Sequence, residues 1–267
     1  MITDNYHLEK KATQFLNYCK TIAKVSIYIE ENYLIDFSNY EFDENIFFVK
    51  TKGDLALNLV KLIEQESDIP VINSSSSISL AFNRFLNSVF LRKAGVQVPD
   101  FTLNPVGIMP PFKDYIMKNI KDQKNYAFSP QIQKERGFLK VVDMRAIEES
   151  SGIKPKYSHI YFQDFVKSKW EYKVYLIGDD LFYFKQIPVL VDPDKMKSRV
   201  EIEKDVELTE IAYKAAGAIG LKISSMDFLK SKDGVYFLTD INSSPNFNYL
   251  KNGPKIVGDY IIRQAKN

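Results

Sequence analysis

One cysteine, Cys19, and two histidines, His7 and His159, are all that the 267-residue chain offers of those residue types. This excludes an intrachain disulfide, a multi-cysteine zinc site and ordinary histidine-based zinc chemistry. Glycine is sparse, at 11 residues, and no GxxxxGK[ST] loop, GxGxxG turn or GxSxG elbow is formed from them, so the phosphate-loop and Rossmann readings fail. Excess charge is absent too: 36 basic and 34 acidic side chains leave +2, and nothing global points to nucleic acid or another polyanion. No apolar run reaches membrane-spanning length, and the start, MITDNYHLEKKATQ, lacks the basic and apolar regions of a signal peptide. The expectation is a cytoplasmic protein with no membrane partner.

What is present is a core. Hydrophobic residues make up 45% of the chain, enough for one to three small subdomains. KVSIYIE (24–30) and IFFVK (46–50) read as short buried strands, and Asp54 caps a helix over LALNLVKLIEQE. IPVINSSSSISLAFNRFLNSVFLRKAGVQVPDF reads as a strand, a serine cap, one helix ending at Gly95 and an extended stretch held open by Pro99. That predicts a boundary near residue 97. Residues 112–136 are lysine-rich and read as a flexible connection; its cations, Lys118 among them, are candidates to meet RNA or an acidic peptide but read rather as a solvated, mobile face, and GFLKVVDM after them reads as a strand. Then come a strand in IYFQDFV, a hairpin in EYKVYLIGDDLFYFKQ and a helix from Asp205 to Gly220 with Leu208, Ile211, Ala212, Ala215 and Ile219 on one face. Cys19 reads as buried in a helix. His159 reads as a packed or surface histidine.

The last hairpin carries chemistry. Asp233-Gly234 separates MDFLKSK from VYFLTDIN, and Asp-Gly favours a two-residue loop. Such a loop sets Asp227 opposite Asp240, Leu229 opposite Leu238 and Ser225 opposite Asn242, with Met226, Phe228, Phe237 and Ile241 on the core face. Opposed Cβ atoms lie about 4.5 to 5.5 Å apart, and two carboxylates there repel by on the order of a few kcal/mol at an effective dielectric near 20. A hard divalent cation removes the conflict. Magnesium takes oxygens from one or two carboxylates and completes its octahedron with phosphate oxygens and water, and Asn242 adds a neutral carbonyl oxygen on the same face. The pairing holds only if no bulge intervenes.

Asp227, Asp240, Asn242, Pro245 and Phe247 in this order resemble the metal-binding end of the ATP-grasp superfamily. VINSSSSISLAFNRFLNSVFLRKAGVQVPDF resembles the helix before its central subdomain, YFQDFV its adenine hinge and KVYLIGDDLFYFKQ the hairpin that follows. Ordered similarity runs over residues 45–265 and is nearest to the glutamate-ligase and glutathione-synthase-like branch. It implies an α+β fold: an α/β N-terminal unit, 1–97, then a central ATP-grasp subdomain, 98–166, and a C-terminal one, 167–267, with ATP clasped between two antiparallel sheets. It also implies Mg2+, with Mn2+ as a substitute. Phosphate contacts fall on Arg84, where the family has Asp-Lys and this chain Asn83-Arg84, and on the strand lysine Lys140. Adenine contacts fall on Gln163, Asp164, Phe165 and Val166, with backbone groups of Asp164 and Val166 as readers. The metal ligands are Asp227, Asp240 and Asn242. After Lys140 the family's glycine-rich flap is replaced by VVDMRAIEESSGIKPKYSHI, with Gly152 alone.

Lys173, Lys185 and Arg199 fall where relatives place cations that reach the transferred phosphate or the acceptor. An even loop at Gly178-Asp179 puts the two lysines on opposite faces, and a three-residue loop makes them partners. Arg199 is either such a contact or an exposed loop residue. The implied activity is ATP-dependent joining of a carboxylate to an amine, on small-molecule or peptide substrates, through an acyl phosphate. A small-molecule kinase, for which Lys50, Lys52, Lys185 and Arg199 are only scattered acceptor candidates, and a non-catalytic ATP-binding module are the alternatives.

Overall fold

A computed structural model describes residues 1–32, 41–105, 107–121, 125–128, 159–188 and 195–265. The strand lysine expected at Lys140 and the segment around Gly152 lie outside them. No helix among the described residues is long and apolar enough to cross a membrane.

The N-terminal part is a small parallel sheet. Strands β1 (Ile2–Thr3), β2 (Tyr28–Ile29), β3 (Phe47–Lys50) and β4 (Val71–Ile72) lie in the order β2-β1-β3-β4. Helices α1 (Asn5–His7) and α2 (Thr13–Cys19) follow β1, separated by a π-helical turn over Leu8–Ala12, and α3 (Asp54–Glu66) joins β3 to β4. Asp54 is the first helical residue of α3 rather than its cap. The orphan amides of Leu55 and Ala56 are taken by a carboxylate oxygen of Glu30, at 3.2 and 3.4 Å, a longer-range form of N-terminal capping. The single helix expected after the serines is two, α4 (Ser75–Phe82) and α5 (Arg84–Lys93). Asn83 breaks them because its side chain caps the second, accepting from the Leu86 amide at 3.1 Å.

The central sheet is antiparallel, in the order β5-β8-β6-β7, from β5 (Phe101–Pro105), β6 (Tyr115–Lys118), β7 (Asn125–Phe128) and β8 (His159–Asp164). Two of these strands fall inside the stretch read from sequence as a flexible connection. Tyr115, Ile116 and Met117 are buried there, and four residues sufficed to make a strand because neighbours on both sides complete its hydrogen bonds.

The C-terminal sheet runs β11-β10-β9-β12-β13. Its members are β9 (Glu171–Ile177), β10 (Asp180–Gln186), β11 (Val200–Glu201), β12 (Ile223–Lys230) and β13 (Tyr236–Asn242), with α6 (Lys195–Ser198) before β11, α7 (Val206–Ile219) between β11 and β12, and α8 (Gly253–Ala265) at the end. α7 forms as its sequence predicts: Asp205 accepts from the Leu208 amide at 2.9 Å, and Gly220 ends it at φ +80°. One sheet face, with Val174, Leu176, Met226 and Phe228, packs on Leu208, Ala212, Ala215 and Ile219 of α7. On the other, Tyr175, Ile177 and Ile223 pack on Val257 and Ile261 of α8 and on Phe48 and Ile72 of the N-terminal sheet. Burial of each large apolar side chain contributes about 1.5–3 kcal/mol.

A buried amide ties the first and last parts together. Asn73, 1% exposed, donates to the carbonyls of Ile223 and Ser243 at 2.7 and 3.0 Å. Its oxygen accepts from the amides of Lys222 and Ile223 at 2.8 and 3.0 Å. All four hydrogen-bonding positions of the side chain are filled.

Candidate active site

The last hairpin is less regular than Asp-Gly suggested. Its loop has three residues, Lys232 to Gly234, closed by the Ser231 amide on the Val235 carbonyl at 2.9 Å, with Gly234 at φ +84°. Leu229 therefore pairs with Phe237, and Phe228 with Leu238, which corrects the expected Leu229–Leu238 pair. A bulge then intervenes: Thr239 has no cross-strand partner, and beyond it Asp227 pairs with Asp240, Met226 with Ile241 and Ser225 with Asn242. The extra loop residue and the extra strand residue cancel. Tyr236 and Leu238, not Phe237, join Met226, Phe228 and Ile241 in the core.

The neighbouring strand adds a cation to this row. β9 pairs with β12 so that Lys173 faces Asp227, and its ammonium donates to an Asp227 carboxylate oxygen. Burial works against that ammonium. Asp227, Tyr175 and Glu171 together outweigh burial and hold its pKa above the ordinary lysine value. Lys173, Asp227 and Asp240 thus form one line across three strands, and Asn242 stands one step along it. The Asn242 side-chain oxygen accepts from the Ser244 amide at 2.9 Å, which orients it.

The two lysines left open by loop length are now placed. The loop at Gly178-Asp179 has two residues, so Lys185 pairs with Tyr172 and Lys173 with Phe184, on opposite faces. Lys185 stands with its ammonium 5.2 Å from the Trp170 ring centre, away from the carboxylates. Arg199 belongs to the carboxylate face: its Nε donates at 2.7 Å to Gln186, whose amide donates to Glu171. Its Nη1 is buried without a partner among the described residues. A guanidinium N–H so placed costs several kcal/mol unless an anion meets it.

From the central sheet comes a residue that the sequence reading missed. Lys118, at the end of β6, is 5% exposed, and its ammonium crosses to the C-terminal sheet to donate at 2.8 Å to the carbonyl of Thr239, the bulge residue. Burial lowers its pKa to about 8, against the attraction of Asp240. Arg84, first residue of α5, donates from Nη1 to the Asn119 carbonyl at 2.7 Å, and it lines one narrow cleft with Lys118, Tyr161, Thr239 and Asp240. The signal was there: Lys118 ends the apolar run YIM, a placement that is costly without a counter-charge.

At the hinge, Gln163 is buried in β8. The Asp164 amide donates to the Asp100 carbonyl at 2.7 Å and the Phe165 amide to the Asp114 carbonyl at 3.1 Å. Both amides are committed to the fold and are not free to read a base. Burial pushes the Asp164 carboxyl up.

The donor set suits magnesium. Two opposed carboxylates and one amide oxygen leave most of an octahedron to phosphate oxygens and water, and no cluster of three or more acidic, histidine or cysteine residues among the described residues offers a full protein cage.

No protein-family model matches the chain. It is 25% identical over 195 residues to the tetrahydromethanopterin:alpha-L-glutamate ligase of Methanocaldococcus jannaschii, and that match spans 67% of this chain and 64% of that enzyme. Among solved structures, the ATP-grasp ligase PsnB complexed with minimal precursor, Mg and ADP superposes with a TM-score of 0.65 at 14% identity, over 99% of this chain and 96% of that one. The D-alanine–D-alanine ligase of Bacillus anthracis complexed with ATP gives 0.70 at 13% identity, over 99% and 97%.

Proposed function

Starting from the ATP-grasp fold of this chain, we propose that it is a magnesium- and ATP-dependent ligase that joins a carboxylate to an amine. The observation that carries the reading is the row Lys173, Asp227, Asp240, met from the facing sheet by Lys118 beside Arg84. Cations on one sheet and a carboxylate pair on the other are what a triphosphate with its metal needs. Bound magnesium-ATP would supply the phosphoryl group that activates the carboxylate as an acyl phosphate; the amine would attack the acyl carbon, forming the amide bond and releasing inorganic phosphate. Asp227, Asp240 and Asn242 would hold the cation, and manganese would be the alternative hard ion for the same oxygens. Lys118 and Arg84 neutralise phosphate charge on one side of the cleft, and Arg199 offers its unpaired Nη1 on the other. Lys173 orients Asp227 through its hydrogen bond to the carboxylate. No protein nucleophile is required.

The substrates belong to the same proposal: small-molecule or peptide carboxylates and amines, handled in the cytoplasm, by three units over 1–97, 98–166 and 167–267. The relative named a glutamate ligase and the PsnB structure solved with a precursor peptide support that class. ADP release from the purified chain, given a panel of carboxylic acids and amino acids, tests the reading. Mass spectrometry should find an amide. A stable phosphorylated product without amide would replace the ligase by a kinase, and nucleotide binding without turnover would replace it by a binding module.

A further inference from the structure

The candidate metal site is set by strand pairing at two of its ligands and by a loop at the third. Asp227 and Asp240 lie within the β12–β13 ladder, whereas Asn242 is the last residue of β13, and the chain from Ser243 to Phe247 runs on outside that ladder. The Ser244 amide donates to the Asn242 side-chain oxygen at 2.9 Å, which fixes the side chain and leaves the second lone pair of that oxygen for a cation. The aim of Asn242 therefore depends on where the Ser244 amide is held. The segment's own serines do not hold it: the hydroxyls of Ser243 and Ser244 are buried without a partner among the described residues.

The N-terminal sheet holds it instead. Asn73, which follows β4, donates to the Ser243 carbonyl at 3.0 Å. Lys50, the last residue of β3, donates to the Pro245 carbonyl, with its nitrogen 4.0 Å from the centre of the Phe247 ring. Phe48 shares a strand face with Lys50 and sets its ring 6.4 Å from that of Phe247. The carbonyls on either side of Ser244 are thus both bonded to side chains of another sheet. Packing alone does not call for a lysine at position 50. It is 1% exposed, burial pushes its pKa well below that of a free lysine, and an apolar side chain of similar volume would fill the place at less desolvation cost. What lysine adds there is reach and a donor, and it donates whether charged or neutral.

We propose that Lys50 and Asn73 are positioning residues for the metal: by fixing the carbonyls on either side of Ser244 they keep its amide on Asn242, and the N-terminal sheet thereby sets the third ligand of a site that the C-terminal hairpin builds. Groups that orient a metal ligand from behind tune affinity without touching the ion. The inference rests on the reading of Asp227, Asp240 and Asn242 as metal ligands, and it can fail separately from that reading.

The probe is Mn2+, titrated into the full chain with a non-hydrolysable ATP analogue and followed by calorimetry and electron paramagnetic resonance. Lys50→Met keeps the apolar stem and removes the donor. Mn2+ affinity should fall by about ten- to a hundredfold, the usual loss for a group that orients a metal ligand, and the spectrum of the bound ion should differ from the parent's. Lys50→Gln, too short to reach Pro245, should lose as much, so the test does not hang on one variant folding. The melting temperature should hold, as should affinity for the analogue without metal. Lys255→Met, at an exposed lysine paired with Asp259 at 2.8 Å, should leave Mn2+ affinity unchanged. The decisive measurement is a double-mutant cycle: in an Asn242→Ala background, Lys50→Met should weaken Mn2+ no further, because its effect runs through Asn242. Losses that add in the double variant, or Lys50 variants that bind Mn2+ like the parent while melting lower, overturn the proposal and leave Lys50 a structural tie. Failure of the metal reading shows separately, as Asp227→Asn and Asp240→Asn proteins that bind Mn2+ as the parent does, and it removes the proposal with it.

Discussion

The C-terminal sheet contains two hairpins that solve the same problem differently. β9–β10 turns through Gly178-Asp179 and keeps one register over seven pairs, from Ile177–Asp180 to Glu171–Gln186. β12–β13 turns through three residues and then inserts Thr239, so its register changes between Phe228 and Asp227. Regularity in the first hairpin sends Lys173 and Lys185 to opposite faces. Irregularity in the second does more: it restores the Asp227–Asp240 pair that the longer loop would have broken, and it frees a carbonyl from the ladder. That carbonyl, of Thr239, is the one Lys118 reaches. A bulge beside a site re-aims the groups around it.

The sharpest way to break this comparison is at the carboxylate pair. Asp240→Asn keeps size and strand register but removes one charge from the proposed metal site. Turnover should fall by about 100- to 1,000-fold, the scale for losing one charge-stabilising group, and calorimetric titration with Mg2+ or Mn2+ should show weakened binding. Stability should change little, because relief of the repulsion with Asp227 is offset by the loss of attraction for the buried Lys118 ammonium. An active Asp240→Asn protein would remove the metal role.

The next test lies on the bulge. Lys118→Met deletes the ammonium that crosses between sheets while keeping its apolar stem. Affinity for a fluorescent ATP analogue should drop by about ten- to a hundredfold. The melting temperature should hold or rise, since a buried ammonium held by one carbonyl is paid for in desolvation. A lower melting temperature with unchanged nucleotide affinity would make Lys118 a structural strut.

These residues also mark how far the sequence could be read. Asp227 opposite Asp240 was legible because alternation and an Asp-Gly turn fix a hairpin locally, yet the pairing came out right through two departures that cancel. Phe237 was misplaced on the core face for the same reason, since one added loop residue turns every side chain before the bulge. Helix α7 was legible from its cap, its periodicity and Gly220. Lys118 was not, because strand β6 has four residues and owes its existence to β8 and β7 on either side, contacts made only in the fold. A lysine run then looked solvated. Glu30 capping α3 across 24 residues of chain is likewise invisible to local pattern, because no periodicity links its position to the helix.

The last pair of tests sets the two turns against each other. Gly178 and Gly234 both hold positive φ, +62° and +84°, so an alanine at either loses about 1 kcal/mol to backbone strain. Their surroundings differ. A Cβ at Gly178 would stand 2.4 Å from Cε2 of Tyr260, a ring packed in the core beneath α8, whereas at Gly234 the nearest atom is the flexible Lys230 Cε at 4.0 Å. Gly178→Ala should therefore cost about 2–3 kcal/mol in denaturant unfolding, because the ring or α8 must shift. Gly234→Ala should cost about 1 kcal/mol and leave metal affinity unaltered, because the bulge at Thr239 separates the strained loop from Asp227 and Asp240. If Gly234→Ala weakened Mg2+ binding as well, loop and bulge would be mechanically coupled, and the register at the carboxylates would depend on the turn after all.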